Sequence, residues 1–208
     1  MIEQKIFVDE IQNLYEKYMG KKMTVEDIEQ LFSISQIRLI KKGEIIHGMH
    51  EKISQVGLVL SGIVRSYYLD ADGDEITKNF HCQGYIILDE VLLGYENSIC
   101  AWETLKDTTI LWMEVLKLKK LFVENETFKD IYIICLENGL RYKIYREGEF
   151  LLKNAMERYL QFCKDYPDLV ENVKQSYIAT YLGIAPESLS RIRKTLNKEV
   201  YSTYERNT

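Results

Sequence analysis

Residues 174–196 constrain this chain more than any other stretch. Ile178, Ala179 and Leu182 recur at helical spacing, so a helix with one apolar stripe is expected there. Gly183 follows, where a residue free to take positive φ can end a helix. Ile184 then turns inward, and Pro186 suits the first position of a second helix because its missing N–H would have no partner there. On that second helix Leu189, Ile192 and Leu196 form the buried side, which turns Glu187, Ser190, Arg191 and Lys194 outward. The pattern is a helix-turn-helix, a unit that lays its second helix in the DNA major groove. An ordinary helical hairpin inside a core would share the apolar spacing; exposed residues able to read base edges favour the DNA reading.

Charge supports a localised contact. The 208 residues carry a net charge of −5. Between 174 and 198, however, Lys174, Arg191, Arg193, Lys194 and Lys198 stand against Glu187 alone, a net +4. An acidic protein with one basic end suits DNA contact by a single module rather than by its whole surface. The four cysteines, Cys82, Cys100, Cys135 and Cys163, show neither C-x-x-C pairing nor zinc spacing to histidine, so they are expected to be reduced and mostly packed. Glu3, Lys5, Asp9 and Glu10 interrupt any leader-like apolar run, and no segment approaches a membrane span. A soluble cytoplasmic protein is expected.

The period of the apolar residues changes along the chain. Residues 2–18 read as a helix ended by Gly20, and Thr24 with Asp27 resembles a capping box for a short helix through Leu31. From 35 to 113, short runs at 37–40, 44–46, 56–60, 62–69 and 108–112 read as strands between turns. Asp72-Gly73 marks a hairpin. Strands at such spacing imply an all-β sandwich or barrel. From 127 to 148 a helical pattern returns, with Phe128, Ile131, Cys135, Leu136, Leu140 and Ile144 on a broad stripe. That stripe needs a partner surface, either a second copy of the chain or the subunit's own core. Asn154 with Glu157 reads as another helix start, in a run broken at Tyr166-Pro167.

This order of elements resembles the Crp/Fnr family of bacterial transcription regulators over nearly the whole chain. Lys42-Gly-Glu44, Val59-Leu-Ser-Gly62-Ile-Val-Arg65 and Glu187-Ser-Leu-Ser-Arg191 carry the resemblance best. Glu157–Pro167 through Tyr177–Gly183 looks like the branch common in Bacteroidetes-type bacteria. The resemblance implies an α+β fold: a helical lead and jelly-roll-like β-roll sensor domain over 1–125, a dimerisation helix over 126–148 and a winged-type helix-turn-helix domain over 149–208. It also implies a homodimer reading a palindromic double-stranded DNA site, with RNA polymerase as a further partner if the protein activates.

The departures are as informative. Cyclic-nucleotide-binding relatives carry a phosphate cassette of Gly-Glu followed by Arg-Ser. Alignment puts Leu88, Asp89, Ile99 and Cys100 at those places. Burying a cyclic phosphate without a charge partner is costly, and Asp89 and Glu90 would repel it further. The β-roll is therefore expected to sense an effector of other chemistry or to work without one. No cysteine precedes Cys82, which argues against an iron–sulfur cluster; lone His81 and the His47/His50 pair make no metal site, and no cofactor is expected.

Chemistry assigns the recognition helix. Arg191 can bond O6 and N7 of guanine, Glu187 can accept from the cytosine amino group, and Ser190 can contact a base or a thymine methyl. Glu187 in the first helical turn also suits the helix dipole. Lys174, Ser176, Arg193, Lys194 and Lys198 suit phosphates, which position without reading sequence. Ala185 stands where relatives have a capping Ser or Thr, and residues 199–204 leave room only for an abbreviated wing. Two other classes stand beside this one: a cupin-like β-roll enzyme, whose chemistry needs a later histidine where this chain has none after His81, and a protein-interaction module with a degenerate helix-turn-helix. No enzyme is expected.

Overall fold

Two helices lead the chain, α1 (Ile2–Met19) and α2 (Val25–Ser33). Gly20, at φ +67°, donates its N–H to the Glu16 carbonyl and ends α1. Thr24 caps α2 through the full capping box: its hydroxyl accepts from Asp27 N–H at 3.1 Å, and Asp27 accepts from Thr24 N–H. The computed structural model describes the backbone of residues 2–206 and the side chains of 7–196.

Eight strands follow: β1 (Ser35–Ile40), β2 (Ile45–His47), β3 (Gln55–Ser61), β4 (Val64–Leu69), β5 (Glu75–His81), β6 (Ile86–Ile87), β7 (Ala101–Thr104) and β8 (Thr108–Glu114). They form two antiparallel four-stranded sheets, ordered β1-β8-β3-β6 and β2-β7-β4-β5. Val56, Val59, Leu60, Val64, Ile87, Trp102, Ile110 and Leu111 make up the centre of the core, all fully buried. Glycine is required at 57: a Cβ there would lie 2.6 Å from Ile110 Cγ2 and 2.8 Å from Ile87 Cγ1. The Asp72-Gly73 hairpin forms, with Gly73 at φ +86° and the Asp70 carboxylate accepting from the N–H groups of Asp72 and Asp74.

Helix α3 (Val115–Glu124) leads into α4 (Glu126–Leu152), longer at both ends than the apolar pattern predicts. The stripe read on α4 divides. Phe128 is buried and Ile131 half-buried against the β-roll core, whereas Cys135, Leu136, Leu140 and Ile144 are exposed. The remaining helices are α5 (Ala155–Asp165), α6 (Pro167–Asn172), α7 (Gln175–Tyr181) and α8 (Pro186–Arg206). Pro167 starts α6 at its first turn as well as ending the run before it. Residues 199–204, read as an abbreviated wing, continue α8 instead. Nothing between 187 and 206 is Gly or Pro, so no residue interrupts helix propagation, and among the described residues no strand follows β8. Contacts divide the chain into two units, Met1–Leu69 with Lys78–Leu140, and Asp70–Thr77 with Arg141–Thr208. No helix among the described residues is long and apolar enough to cross a membrane.

Asp27 is 6% exposed and ties α2 to the start of α4. Its carboxylate accepts from Asn125 Nδ2 at 2.8 Å and from Thr127 Oγ1 at 3.0 Å. Burial alone would raise its pKa, but hydrogen bonds from Asn125, Thr24 and Thr127 outweigh burial and hold it below the ordinary range. A depressed folded pKa gives stability that is present above the unfolded value, about 3.9, and is lost as pH falls through the folded one. Urea titrations at pH 5 and pH 3 are expected to show a smaller acid loss for Asp27→Asn than for the parent protein. An equal loss in both would remove Asp27 from the account.

Candidate nucleic-acid interface

The C-terminal unit is built around two short helices and the aromatic residues that hold them. Tyr159 and Phe162 of α5, Leu169 of α6, Ile178, Ala179 and Tyr181 of α7, its C-cap Leu182, and Leu189 of α8 are all buried. The Phe162 ring sits 5.4 Å from Tyr181 and 5.3 Å from Tyr166. Burial pushes the Tyr181 phenol well above its usual range. Helix α7 ends in a Schellman motif: Ile184 N–H donates to the Ala179 carbonyl at 3.0 Å, and Gly183 N–H to Thr180 at 3.1 Å. Gly183 adopts φ +68°, as that motif requires. The Ala185 carbonyl accepts from Leu189 N–H at 3.2 Å and begins α8, with Pro186 in the first turn.

Leu189 anchors α8 to this core, while Ile192 and Leu196 are half-buried. Glu187, Ser190, Arg191 and Lys194 are exposed. Their spacing of i, i+3, i+4, i+7 places them on one face. At 1.5 Å per residue that face is about 10 Å long, comparable with the width of a major groove. Arg191 Nε donates to the Glu187 carbonyl at 3.4 Å. Of the residues assigned to phosphates, Lys194 shares the face. Arg193 lies off it, half-buried, with its charge near Tyr159. Lys174 and Ser176 are exposed at the start of α7, where Lys174 Nζ donates to Tyr177 OH at 3.2 Å and lies 5.0 Å from that ring's centre. Lys198 lies outside the described side chains.

The cassette residues lie in the β-roll unit. Leu88 is buried at φ +57° and opens a 3-10 turn, Asp89–Leu93. Asp89 is exposed, Ile99 half-buried and Cys100 fully buried. Around Cys100 the chain assembles a polar cluster. Ser98 Oγ approaches Glu90 Oε1 at 2.8 Å, Trp102 Nε1 donates to Ser98 Oγ at 3.1 Å, and Lys78 Nζ reaches Cys100 Sγ at 3.7 Å. Glu90 is 3% exposed, so this acid rather than Asp89 points its chemistry inward. Burial opposes the Lys78 charge, but Cys100, Glu90, Tyr68 and Asp89 outweigh it and raise the ammonium's pKa. Burial pushes the Cys100 thiol up to about 12, so it stays protonated. The His47 ring meets Glu51, Nε2 lying 3.2 Å from its carbonyl and Nδ1 3.8 Å from Oε2. Buried His81 shares a 3.0 Å hydrogen bond with Ser66 Oγ.

Solved structures match this arrangement over most of its length. FixK2 from Bradyrhizobium japonicum is 24% identical with a TM-score of 0.70, covering 80% of this chain and 86% of its own. CLP, the c-di-GMP responsive global regulator of Xanthomonas campestris, is 15% identical with a TM-score of 0.69, covering 85% and 93%. A transcriptional regulator assigned to the Crp/Fnr family from Eubacterium rectale is 18% identical with a TM-score of 0.69, covering 85% of each chain. The chain has the Crp/Fnr fold. No family model and no curated protein matches the sequence. The Crp/Fnr fold accounts for the β-roll followed by a helical unit, as its sequence order implied.

Two residues that the sequence reading passed over belong to the C-terminal site. Arg146 Nη2 donates to the Tyr181 carbonyl at 2.7 Å, and Arg158 Nε donates to the Leu182 carbonyl at 3.1 Å. Neither makes a local pattern, since each reaches more than twenty residues along the chain to a backbone oxygen.

Proposed function

We propose that this protein is a homodimeric, sequence-specific DNA-binding transcription regulator of Crp/Fnr type. The reading rests on α8, whose buried side is anchored by Leu189 and whose opposite face offers Glu187, Ser190, Arg191 and Lys194. Glu187, Ser190 and Arg191 contact bases; Lys174, Ser176, Arg193, Lys194 and Lys198 contact phosphates. The exposed apolar side chains of α4 join two copies, which sets two recognition helices against half-sites about 34 Å apart. Functionally, residues 1–125 form the sensor, 126–148 the dimer helix and 149–208 the DNA-binding part. The likeness of stretches 157–167 and 177–183 to the Bacteroidetes-type branch supports assigning it there. The cassette lacks an arginine, so cyclic nucleotides are not its effectors.

Selection from a random duplex library, repeated across a salt series, tests this directly. The parent protein is expected to enrich a palindrome containing G·C pairs. Arg191→Ala is expected to lose about 1–3 kcal/mol, roughly ten- to a hundredfold, at that site and to relax the preference for guanine. Salt-steep binding by the parent protein with no enriched sequence would overturn the reading.

A further inference from the structure

A seven-residue helix such as α7 has too few internal hydrogen bonds to hold its own C-terminus, so its last carbonyls need outside donors. Each of the last five carbonyls, Ile178 to Leu182, has a donor. The Ile178 carbonyl takes Leu182 N–H, Ala179 takes Ile184 N–H, and Thr180 takes Gly183 N–H. The next two take arginines: Tyr181 takes Arg146 from α4 at 2.7 Å, and Leu182 takes Arg158 from α5 at 3.1 Å. Both cations sit at the negative end of the helix dipole.

Their geometry is that of a fixed bracket. The Arg146 guanidinium lies 3.8 Å from the Tyr181 ring centre and 4.7 Å from that of Phe150. Arg158 lies 5.1 Å from Phe150 and spends a second donor, Nη1, on the Lys153 carbonyl at 2.7 Å. Phe150 in turn fills the space under the turn, since a Cβ on Gly183 would come within 2.7 Å of its Cε1. A planar fork that stacks and donates at once is arginine chemistry, which lysine's point charge does not reproduce.

We infer that Arg146 and Arg158 are positioning residues for the recognition helix, holding the α7–α8 turn against α4 and α5 so that α8 is presented in one orientation. This deepens the DNA-binding reading and rests on it for its functional part. The bracket acts through the turn and touches no DNA, which gives it a signature distinct from a phosphate contact.

The test compares Arg146→Met and Arg146→Lys with the parent protein. Three readouts are taken: affinity for the selected palindrome, the salt slope of binding to random duplex, and amide hydrogen exchange at Gly183 and Ile184. For Arg146→Met, about tenfold weaker palindrome binding is expected, with exchange at both amides about tenfold faster and the salt slope unchanged. Arg146→Lys is expected to fall between, keeping charge but losing the stack. Unchanged exchange in the Met variant would overturn the inference, as would a salt slope reduced by about one, the mark of a lost phosphate contact. If the parent protein enriches no palindrome, the DNA-reading proposal fails by itself, and the exchange rates still decide the bracket.

Discussion

The double substitution Leu140→Glu, Ile144→Glu is expected to leave the protein monomeric at micromolar concentration. Both side chains are 62% exposed on α4, with Ile133 and Leu136 continuing the same exposed apolar stretch toward its start. Burying a Leu or Ile is worth about 1.5–3 kcal/mol when complete. A two-fold interface loses each position twice. Even with partial burial the dimer should lose at least about 4 kcal/mol, roughly a thousandfold in dissociation constant. The separate chain should hardly notice, because exposed substitutions of this kind usually shift stability by no more than about 0.5 kcal/mol. Sedimentation equilibrium decides the matter. A variant with the parent's mass and an unchanged melting point would mean that α4 is not the joining surface, and the half-site geometry would have to be rebuilt.

Trp102→Ala should have the largest effect on folding. Trp102 is fully buried, its Nε1 donates to Ser98 Oγ at 3.1 Å, and its ring lies 4.7 Å from His81. Large-to-small changes at such a site cost about 3–5 kcal/mol. A typical domain has only about 5–15 kcal/mol in total. Denaturant unfolding followed by the fluorescence of Trp112, the other tryptophan, measures the β-roll unit specifically. Trp102→Phe should cost less, since it keeps an aromatic ring and loses the donor with part of the indole's volume. A loss below about 1 kcal/mol for the alanine variant would show that the core around Cys100 relaxes to fill the space.

The elements that announce themselves locally were the legible ones. The capping residues Thr24/Asp27 and Asn154/Glu157 both form full capping boxes, because each needs only residues three apart. Gly183 and Pro186 likewise punctuate the helix-turn-helix where the sequence puts them. What stayed hidden depends on distant partners. Two-residue β6 and four-residue β7 exist by pairing with β3, β4 and β2, and two to four residues carry no period of their own. Helix α3 was missed because Val115-Leu-Lys-Leu-Lys alternates as a strand would. At the candidate site, the outward face of α8 was readable from helical spacing. The two arginines that hold its turn were not, since their acceptors are backbone oxygens that any sequence supplies.

The polar cluster beneath the 3-10 turn also bears on which strand alignment is stable. In β7, Trp102 stands opposite Ser66 of β4. Sliding that pairing by one residue would send the indole to the opposite face of the sheet. Ser98 Oγ would lose its donor from Trp102, at the hydroxyl that also reaches Glu90 at 2.8 Å and the Cys100 carbonyl at 2.7 Å. A buried polar group deprived of its partner costs about 1–3 kcal/mol, and a charged one more. Misaligned rolls therefore carry a penalty that an all-hydrocarbon interior would not impose.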